Sequence, residues 1–453
     1  MTSCDARSSS PTLLWAPWVV PVLRAPARDA CLRIEDGVIT SVDAGISRTQ
    51  AEAHGATCLD DCVIAPGFVN AHAHIEYAAY DALVDGLSFE DWIADHVHRK
   101  RRLASEHMEA SAAFGALSCL ASGITCVGDG SYSGHAATAL LRAGLRGRVY
   151  LEVFGDGADP LRERDALMQQ LDEVAKRSGG LIATGWSPHA PYTAGPGLYS
   201  AVGERGRPWM THVHESPHEL ACTTAGTGGL AAWIRSMGWT PHVWSHTPIQ
   251  QLAASEHLGS HTALVHAVHL DDSDVEAIAR AGAPVVHCPR SNARLGCGLA
   301  DIDRLERAGV LVALGTDSPA SAGPIDMFAE MRSMIEQHRA GSGTAEHPDA
   351  ARALRMATVN AALALGHDDL GAVVAGAQAD LMVLETGPVS DPVTALVLGG
   401  TPHSVRSTWI AGRKVWDRDR NHAEMVAARN GIRDARSLLS LPVARHASPA
   451  TAR

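Results

Sequence analysis

Short apolar runs alternate with helix-like stretches along most of this chain, and that alternation is what predicts its fold. Eight runs read as strands: CVIAPGFVN (62–70), ITCVGDG (124–130), RVYLEVFG (148–155), LIATGWSPH (181–189), WMTHVHE (209–215), ALVHAVH (263–269), APVVHCPRSN (283–292) and VLVALGTDS (310–318). Helical patterns such as MEASAAFGALSCLASG and DIDRLERAG separate them. Eight βα repeats over 66–370 predict an α/β fold of the (β/α)8 TIM-barrel type. A doubly wound sheet is the alternative that periodicity alone leaves open. The interval 217–262 is longer than one helix needs and predicts a lid or subdomain inserted in the barrel.

The two ends of the chain follow a different rhythm. CLRIEDGVITSVD alternates polar and apolar residues about Asp36-Gly37, a hairpin dipeptide. Short alternating strands with glycine turns return at 371–385 and 404–416. Segments 1–65 and 371–420 are therefore expected to build one small composite β-sandwich domain. The tail, 421–453, is polar and helix-like, and its last residues, HASPATAR, read as disordered.

Composition narrows the class. A chain of 453 residues, 46% hydrophobic and 19% charged, can bury a large core. A formal net charge of -12 argues against nucleic acid as a partner. Pro17 and Pro21 interrupt the apolar stretch Leu13–Leu23, Asp5 precedes it, and no small-residue cleavage site follows, so neither a membrane span nor a signal peptide is expected. Nine cysteines, an odd number without a paired framework, suit reduced thiols in a cytoplasm. Cys58 and Cys62 lack a second pair for zinc and read as two small strand residues.

The 24 histidines gather where the apolar runs end. In a parallel barrel those ends carry the chemistry. The first run closes on Asn70-Ala71-His72-Ala73-His74, and alternate residues of an extended chain point the same way, so both imidazoles can face one ion. The fifth run supplies His212 and His214 ahead of Glu215, the sixth His266 and His269, and the eighth Asp317. Any one of these reads equally well as a satisfied polar residue beside a loop. Together they make a ligand set with acid–base partners and predict a catalytic metal site.

The motifs PGFVNAHAH, SPHAPYT, HVHES, HCPRSN, LGTDS and MATVNAALALG stand in the order of the amidohydrolase superfamily, which the chain resembles along nearly its whole length, split β domain included. Within it the chain resembles the nucleobase and nucleoside deaminases related to chlorohydrolases. HAHIE, CPRSNARLG and the insertion with GTGGLAAWI look closest to aminodeoxyfutalosine deaminases of the alternative menaquinone pathway. The resemblance implies His72, His74, His212 and Asp317 as metal ligands. It implies Glu215 as the proton-shuttling carboxylate and His266, rather than His269, as the histidine that holds the attacking water, with Asp317 able to take its proton. It gives His189 a substrate contact, and Glu76 and Asn292 join it as substrate-binding candidates. His214 and His269 are expected to be structural.

Many relatives bridge two ions with a carboxylated lysine at the fourth strand. Here that run ends GWSPHAPY, and the chain's three lysines lie elsewhere: Lys100 and Lys176 in helical, charged surroundings, Lys414 in the terminal hairpin. One divalent ion is therefore expected, zinc or else iron. It can draw the pKa of a water molecule down to roughly 7. Glu215 would then protonate the ring nitrogen beside the amine-bearing carbon, and afterwards the leaving amine. The expected reaction is deamination of an adenine-type nucleoside, with 6-amino-6-deoxyfutalosine first. The alternatives are adenosine, methylthioadenosine and S-adenosylhomocysteine, or a chlorohydrolase or amidase built on the same site. An aryl carboxylate on the substrate calls for a cation remote from the metal. Arg290, at the end of the seventh run, is one candidate; the run His98-Arg99-Lys100-Arg101-Arg102 is another, and otherwise reads as a solvated helix face. Ala322 in SPASAGP departs from the Asn that relatives often carry. A non-catalytic scaffold, the rival from another class, has no reason to keep the full set. A small-molecule substrate, a cytoplasmic location and a homodimer complete the expectations.

Overall fold

The computed structural model describes residues 11–443, so the terminal HASPATAR, Cys4 and Asp5 lie outside the described residues. Eight parallel strands follow one another around a barrel: β1 (Phe68–Ala73), β2 (Ile124–Ser131), β3 (Arg146–Val153), β4 (Ile182–Pro188), β5 (Trp209–Val213), β6 (Thr262–His266), β7 (Val285–His287) and β8 (Val312–Leu314). Each pairs with its sequence neighbour in parallel. The circle closes just past β8, where Ala73 bridges Asp317 and the Asp317 N–H donates to the His72 carbonyl at 3.0 Å. Asn70 reinforces the seam. Its amide donates to Thr316 Oγ1 at 2.7 Å and accepts the Thr316 N–H at 2.9 Å, all of it buried.

The first predicted strand, 62–70, is in fact two. Cys62–Pro66 belongs to the end sheet, and the chain then turns into β1 through Gly67. A Cβ on residue 67 would stand 2.1 Å from Thr125 Cγ2, so only glycine passes here. The seventh predicted strand also overran: Pro289 opens the helix Pro289–Arg294, because its missing N–H and fixed φ suit a first helical turn.

The end sheet is one continuous mixed sheet. Its order is Arg413–Asp417, Val405–Ile410, Leu381–Glu385, Cys62–Pro66, Thr12–Val19, Ala27–Glu35, Val38–Asp43, with Thr57–Cys58 beside Thr12–Val19. Asp36 and Gly37 take the positive φ values of 48° and 84° that the predicted hairpin needs. The tips of the two outer hairpins meet, so that a Cβ on Gly37 would lie 2.9 Å from the Ala411 carbonyl oxygen. The sheet thus folds around its own core of Leu14, Leu32, Ile39, Ile64, Leu381 and Val383.

Within 217–262 the chain forms helices Pro217–Ala225, Gly228–Ser236 and Pro248–Ala254. The C-terminal helices His422–Gly431 and Arg433–Leu439 lay Ile432, Ala435 and Leu439 against Tyr77, Tyr80 and Met108, beneath the turn that follows His74. No helix among the described residues is long and apolar enough to cross a membrane.

The seam makes a stability prediction. Asn70→Ala leaves the buried Thr316 N–H unpaired and should cost about 2–3 kcal/mol, read as a lower urea midpoint at unchanged m-value. A midpoint equal to wild type would show that the seam does not depend on this pair.

Candidate active site

Four side chains converge at the mouth of the barrel. His72, His74, His212 and Asp317 are buried, and one donor atom from each lies within 4.8 Å of the others. His212 Nε2 stands 3.2 Å from His72 Nε2 and 3.3 Å from His74 Nε2. Asp317 Oδ1 is 3.4 Å from His72 Nε2 and 3.7 Å from His74 Nε2. Donors at about 2.0–2.1 Å from a tetrahedral ion would be about 3.3–3.4 Å apart. The ring tautomers agree with that use. His74 Nδ1 donates to the Gly130 carbonyl and His212 Nδ1 to the His189 carbonyl, each at 2.7 Å, while His72 Nδ1 faces Met210 Sδ at 3.2 Å. The Nε2 lone pairs therefore face one another, a repulsive arrangement that a cation relieves. Burial also pushes the His72 pKa down to about 4 and that of His212 well below its usual value, so both rings are neutral and ready to ligate. The residues present fit a divalent ion.

Two further groups touch the cluster. Glu215, His266 and Asp317 also hold donor atoms within 4.8 Å of one another. His266 Nδ1 donates to Asn292 Oδ1 at 2.9 Å, which leaves Nε2 without a protein partner, 3.6 Å from Glu215 Oε1. The two acids are driven in opposite directions. Burial raises the Glu215 carboxyl well above the usual range, with help from the charges of Asp317 and Glu219. Burial would also raise Asp317, but the surrounding His72, His266 and His74 rings outweigh it and hold the carboxyl well below the usual range. Asp317 Oδ2 takes the hydroxyls of Ser291 and Ser321, which leaves Oδ1 for the cluster.

The backbone bends sharply to present these groups. His214, His266 and Asp317 have φ values of 53°, 73° and 55°, in the left-handed region that a non-glycine residue rarely adopts. Each bend is held. The Glu219 carboxylate accepts the N–H groups of His214 and Glu215 at 2.9 Å each. His214 Nδ1 faces the His269 carbonyl at 3.0 Å, and His269 Nε2 faces that of Cys297 at 2.7 Å. Both histidines face backbone carbonyls, apart from the metal-binding cluster. They fix the loop that sets Cys297 Sγ 3.9 Å from Glu215 Oε1.

Above the cluster opens a cavity of roughly 360 Å3, walled mainly by aromatic side chains. His189 lines it, stacked on Phe154 with ring centroids 4.9 Å apart and Nδ1 2.7 Å from Thr193 Oγ1. The insertion contributes Trp233, Ile234, Met237 and Trp239, and the helix Phe89–Lys100 contributes Trp92.

Three substrate candidates lie elsewhere. Arg290, which its strand-end position was expected to aim into the pocket, is off the cavity wall. It reaches the carbonyls of Pro324 and Ala322 at 2.9 and 2.6 Å and the buried Glu330 carboxylate at 3.3 Å. Pro289 starts a helix immediately before it, and that helix carries Arg290 away from the pocket. Asn292 stands behind His266. Glu76 is occupied by the Ser131 hydroxyl and by the N–H groups of Tyr132, Ser133 and Ala136, and so caps the helix His135–Ala143.

The basic run divides by helical position. Arg99 and Arg102 bond the carbonyls of Leu438, Leu439, Leu441 and Pro442, while Lys100 and Arg101 line the cavity. The solvated-face reading therefore fails for Lys100, whose ammonium rests over the Tyr132 ring at the cavity wall. Glu152, at the end of β3, also lines the cavity and escaped the sequence reading. Its signal was the one that exposed Asp317: a carboxylate at the end of an apolar run.

Comparison with known proteins agrees with this architecture. A 5-methylthioadenosine/S-adenosylhomocysteine deaminase of Teredinibacter turnerae is 30% identical over 421 residues, covering 88% of this chain and 91% of that protein. A crystal structure of an adenosine deaminase from Xanthomonas campestris with bound zinc superposes with a TM-score of 0.78 at 26% identity, covering 94% of this chain and 98% of that one. An atrazine chlorohydrolase from Arthrobacter aurescens complexed with zinc shares the fold, with a TM-score of 0.75 at 20% identity over 94% of this chain and 100% of that one. Residues 63–415 match the Amidohydrolase family. With all eight barrel strands and the strand-end cluster inside that match, the chain belongs to the amidohydrolase family.

Proposed function

We propose that this protein hydrolyses the exocyclic amine of an adenine nucleoside. The observation that carries the reading is the placement of the buried Glu215, whose carboxyl burial drives upward in pKa, 3.6 Å from an unpartnered His266 Nε2 and beside one set of three imidazoles and a carboxylate. His72, His74, His212 and Asp317 would hold one divalent ion, zinc by preference. When bound, such an ion acts as a Lewis acid and lowers the pKa of water from 15.7 to about 7. The chain's own residues do the rest. His266 Nε2 accepts a hydrogen bond from the water and orients it. Asp317, kept ionised by its imidazole neighbours, accepts the water's proton. Glu215, kept protonated by burial, donates to the ring nitrogen next to the amine-bearing carbon, which makes that carbon electrophilic. The water oxygen bonds to that carbon, the proton held by Asp317 passes to the amine, the C–N bond breaks to release ammonia, and Glu215 recovers its proton from the added hydroxyl as the ring carbonyl forms.

The names of the relatives support an adenine nucleoside as the substrate class. The finer reading, 6-amino-6-deoxyfutalosine, draws its support from the resemblance in sequence and from Arg101 at the cavity wall among tryptophans, a site suited to an aryl carboxylate. S-adenosylhomocysteine also carries a carboxylate at its far end; methylthioadenosine does not. A deamination screen by ultraviolet absorbance across these three, adenosine and guanine separates them. Turnover of an adenine nucleoside with none of guanine is the expected result.

Two variants test the roles. Glu215→Gln should keep its metal and lose at least about a hundredfold in kcat; near-normal turnover in a metal-replete variant removes Glu215 from the mechanism. His212→Ala should fail to retain the one divalent ion per chain expected of wild type, as measured by atomic emission. Full retention would place the ion on other residues.

A further inference from the structure

Glu152 is a buried carboxylate that the mechanism leaves without a task. It is 3% exposed and faces the cavity. Among the described residues, no donor bonds its carboxylate oxygens. The ring of His74 comes to 3.9 Å of Oε1, but its Nδ1 already donates to the Gly130 carbonyl. Glu76, in the turn Ile75–Tyr80 that follows β1, shows the contrast, with every carboxylate oxygen taken by the protein.

Lys100 presents the opposite charge to the same space. Its ammonium lies 3.5 Å from the centre of the Tyr132 ring and has no hydrogen-bond acceptor among the described residues. Retaining both charges without a partner is costly, unless something in the cavity bonds them. The wall between them and the metal-binding cluster is continuous. Tyr132 meets Phe154 with centroids 6.1 Å apart, Phe154 stacks on His189, and His189 lies 5.0 Å from His212. Arg164 bonds the backbone carbonyls of both Glu152 and Tyr132 and so fixes the two elements together.

We propose that Glu152 and Lys100 form the sugar subsite, Glu152 accepting hydrogen bonds from both hydroxyls of the ribose diol and Lys100 donating to one of those oxygens. The assignment rests on the nucleoside reading above. Two O–H donors on adjacent carbons match the two oxygens of one carboxylate, and their lone pairs match an ammonium. An anionic group at this point would meet Glu152 directly. The adenine amine cannot serve Glu152, because it is the group that reacts beside Glu215.

Zinc-loaded wild type, Glu152→Gln and Lys100→Met should be assayed with adenosine, 2′-deoxyadenosine and 3′-deoxyadenosine, with zinc content measured for each. Wild type should prefer adenosine by about 10- to 100-fold in kcat/KM, the range for a hydrogen bond to a charged group. Glu152→Gln should collapse that preference, chiefly through KM, with one zinc per chain retained. Lys100→Met should reduce it in the same sense. A Glu152→Gln enzyme that keeps the wild-type preference overturns the assignment. Calorimetric binding of inosine and 2′-deoxyinosine decides the subsite without turnover. Discrimination present in wild type and lost in Glu152→Gln supports it even if no adenine nucleoside is deaminated, an outcome that would sink the deaminase reading alone.

Discussion

The hydrogen bond from the Asp317 N–H to the His72 carbonyl joins the end of the last barrel strand to the first, and the whole site depends on that seam. His72 and Asp317 are far apart in sequence, and only closure of the barrel brings them to one point. The same seam sets the direction of Asp317. Its left-handed backbone turns the carboxylate inward toward His72 and His74. Asn70 and Thr316 brace the two strands one step earlier, so the bend is carried by structure that is already fixed.

The closed seam buries the site, and burial divides the labour between two acids. Asp317 and Glu215 share one small volume in which ionising both would be costly. Asp317 has three imidazoles and two hydroxyls around it and keeps its charge. Glu215 is buried beside Cys297 and a second carboxylate in Glu219, which favour its protonated form. Neither environment comes from the carboxylates themselves. Glu219 aims Glu215 through the backbone, and Asn292 sets the His266 ring so that its free nitrogen faces the same spot.

The sequence made the barrel and the ligand cluster legible for a physical reason. Strand ends in a parallel barrel converge, so polar residues that close apolar runs must meet, and His72, His74, His212, Glu215, His266 and Asp317 all do. What failed to show was side-chain direction one residue beyond a strand. Arg290 and Asn292 follow the same strand, yet a helix that starts at Pro289 sends one to Glu330 and the other behind His266. Lys100 looked like part of a solvated helix face because helical spacing separates it from Arg99 and Arg102 only in three dimensions. Gly67 looked like part of a strand, since nothing local records the approach of Thr125.

The division between legible and illegible residues follows the division of function. The cluster that performs hydrolysis is built on strand ends, where one rule of geometry governs direction. The groups that face the rest of a substrate come from elsewhere: Trp92 and Lys100 from the helix after β1, Trp233 and Trp239 from the insertion, and Arg101 from just past that helix. Their directions depend on how these elements pack on one another, and in particular on the C-terminal carbonyls that tie down Arg99 and Arg102. The end of the chain thereby helps to set the register of the helix that carries Lys100 to the cavity. A barrel of this kind can keep its reaction while its substrate changes, because the two are fixed by separate sets of contacts.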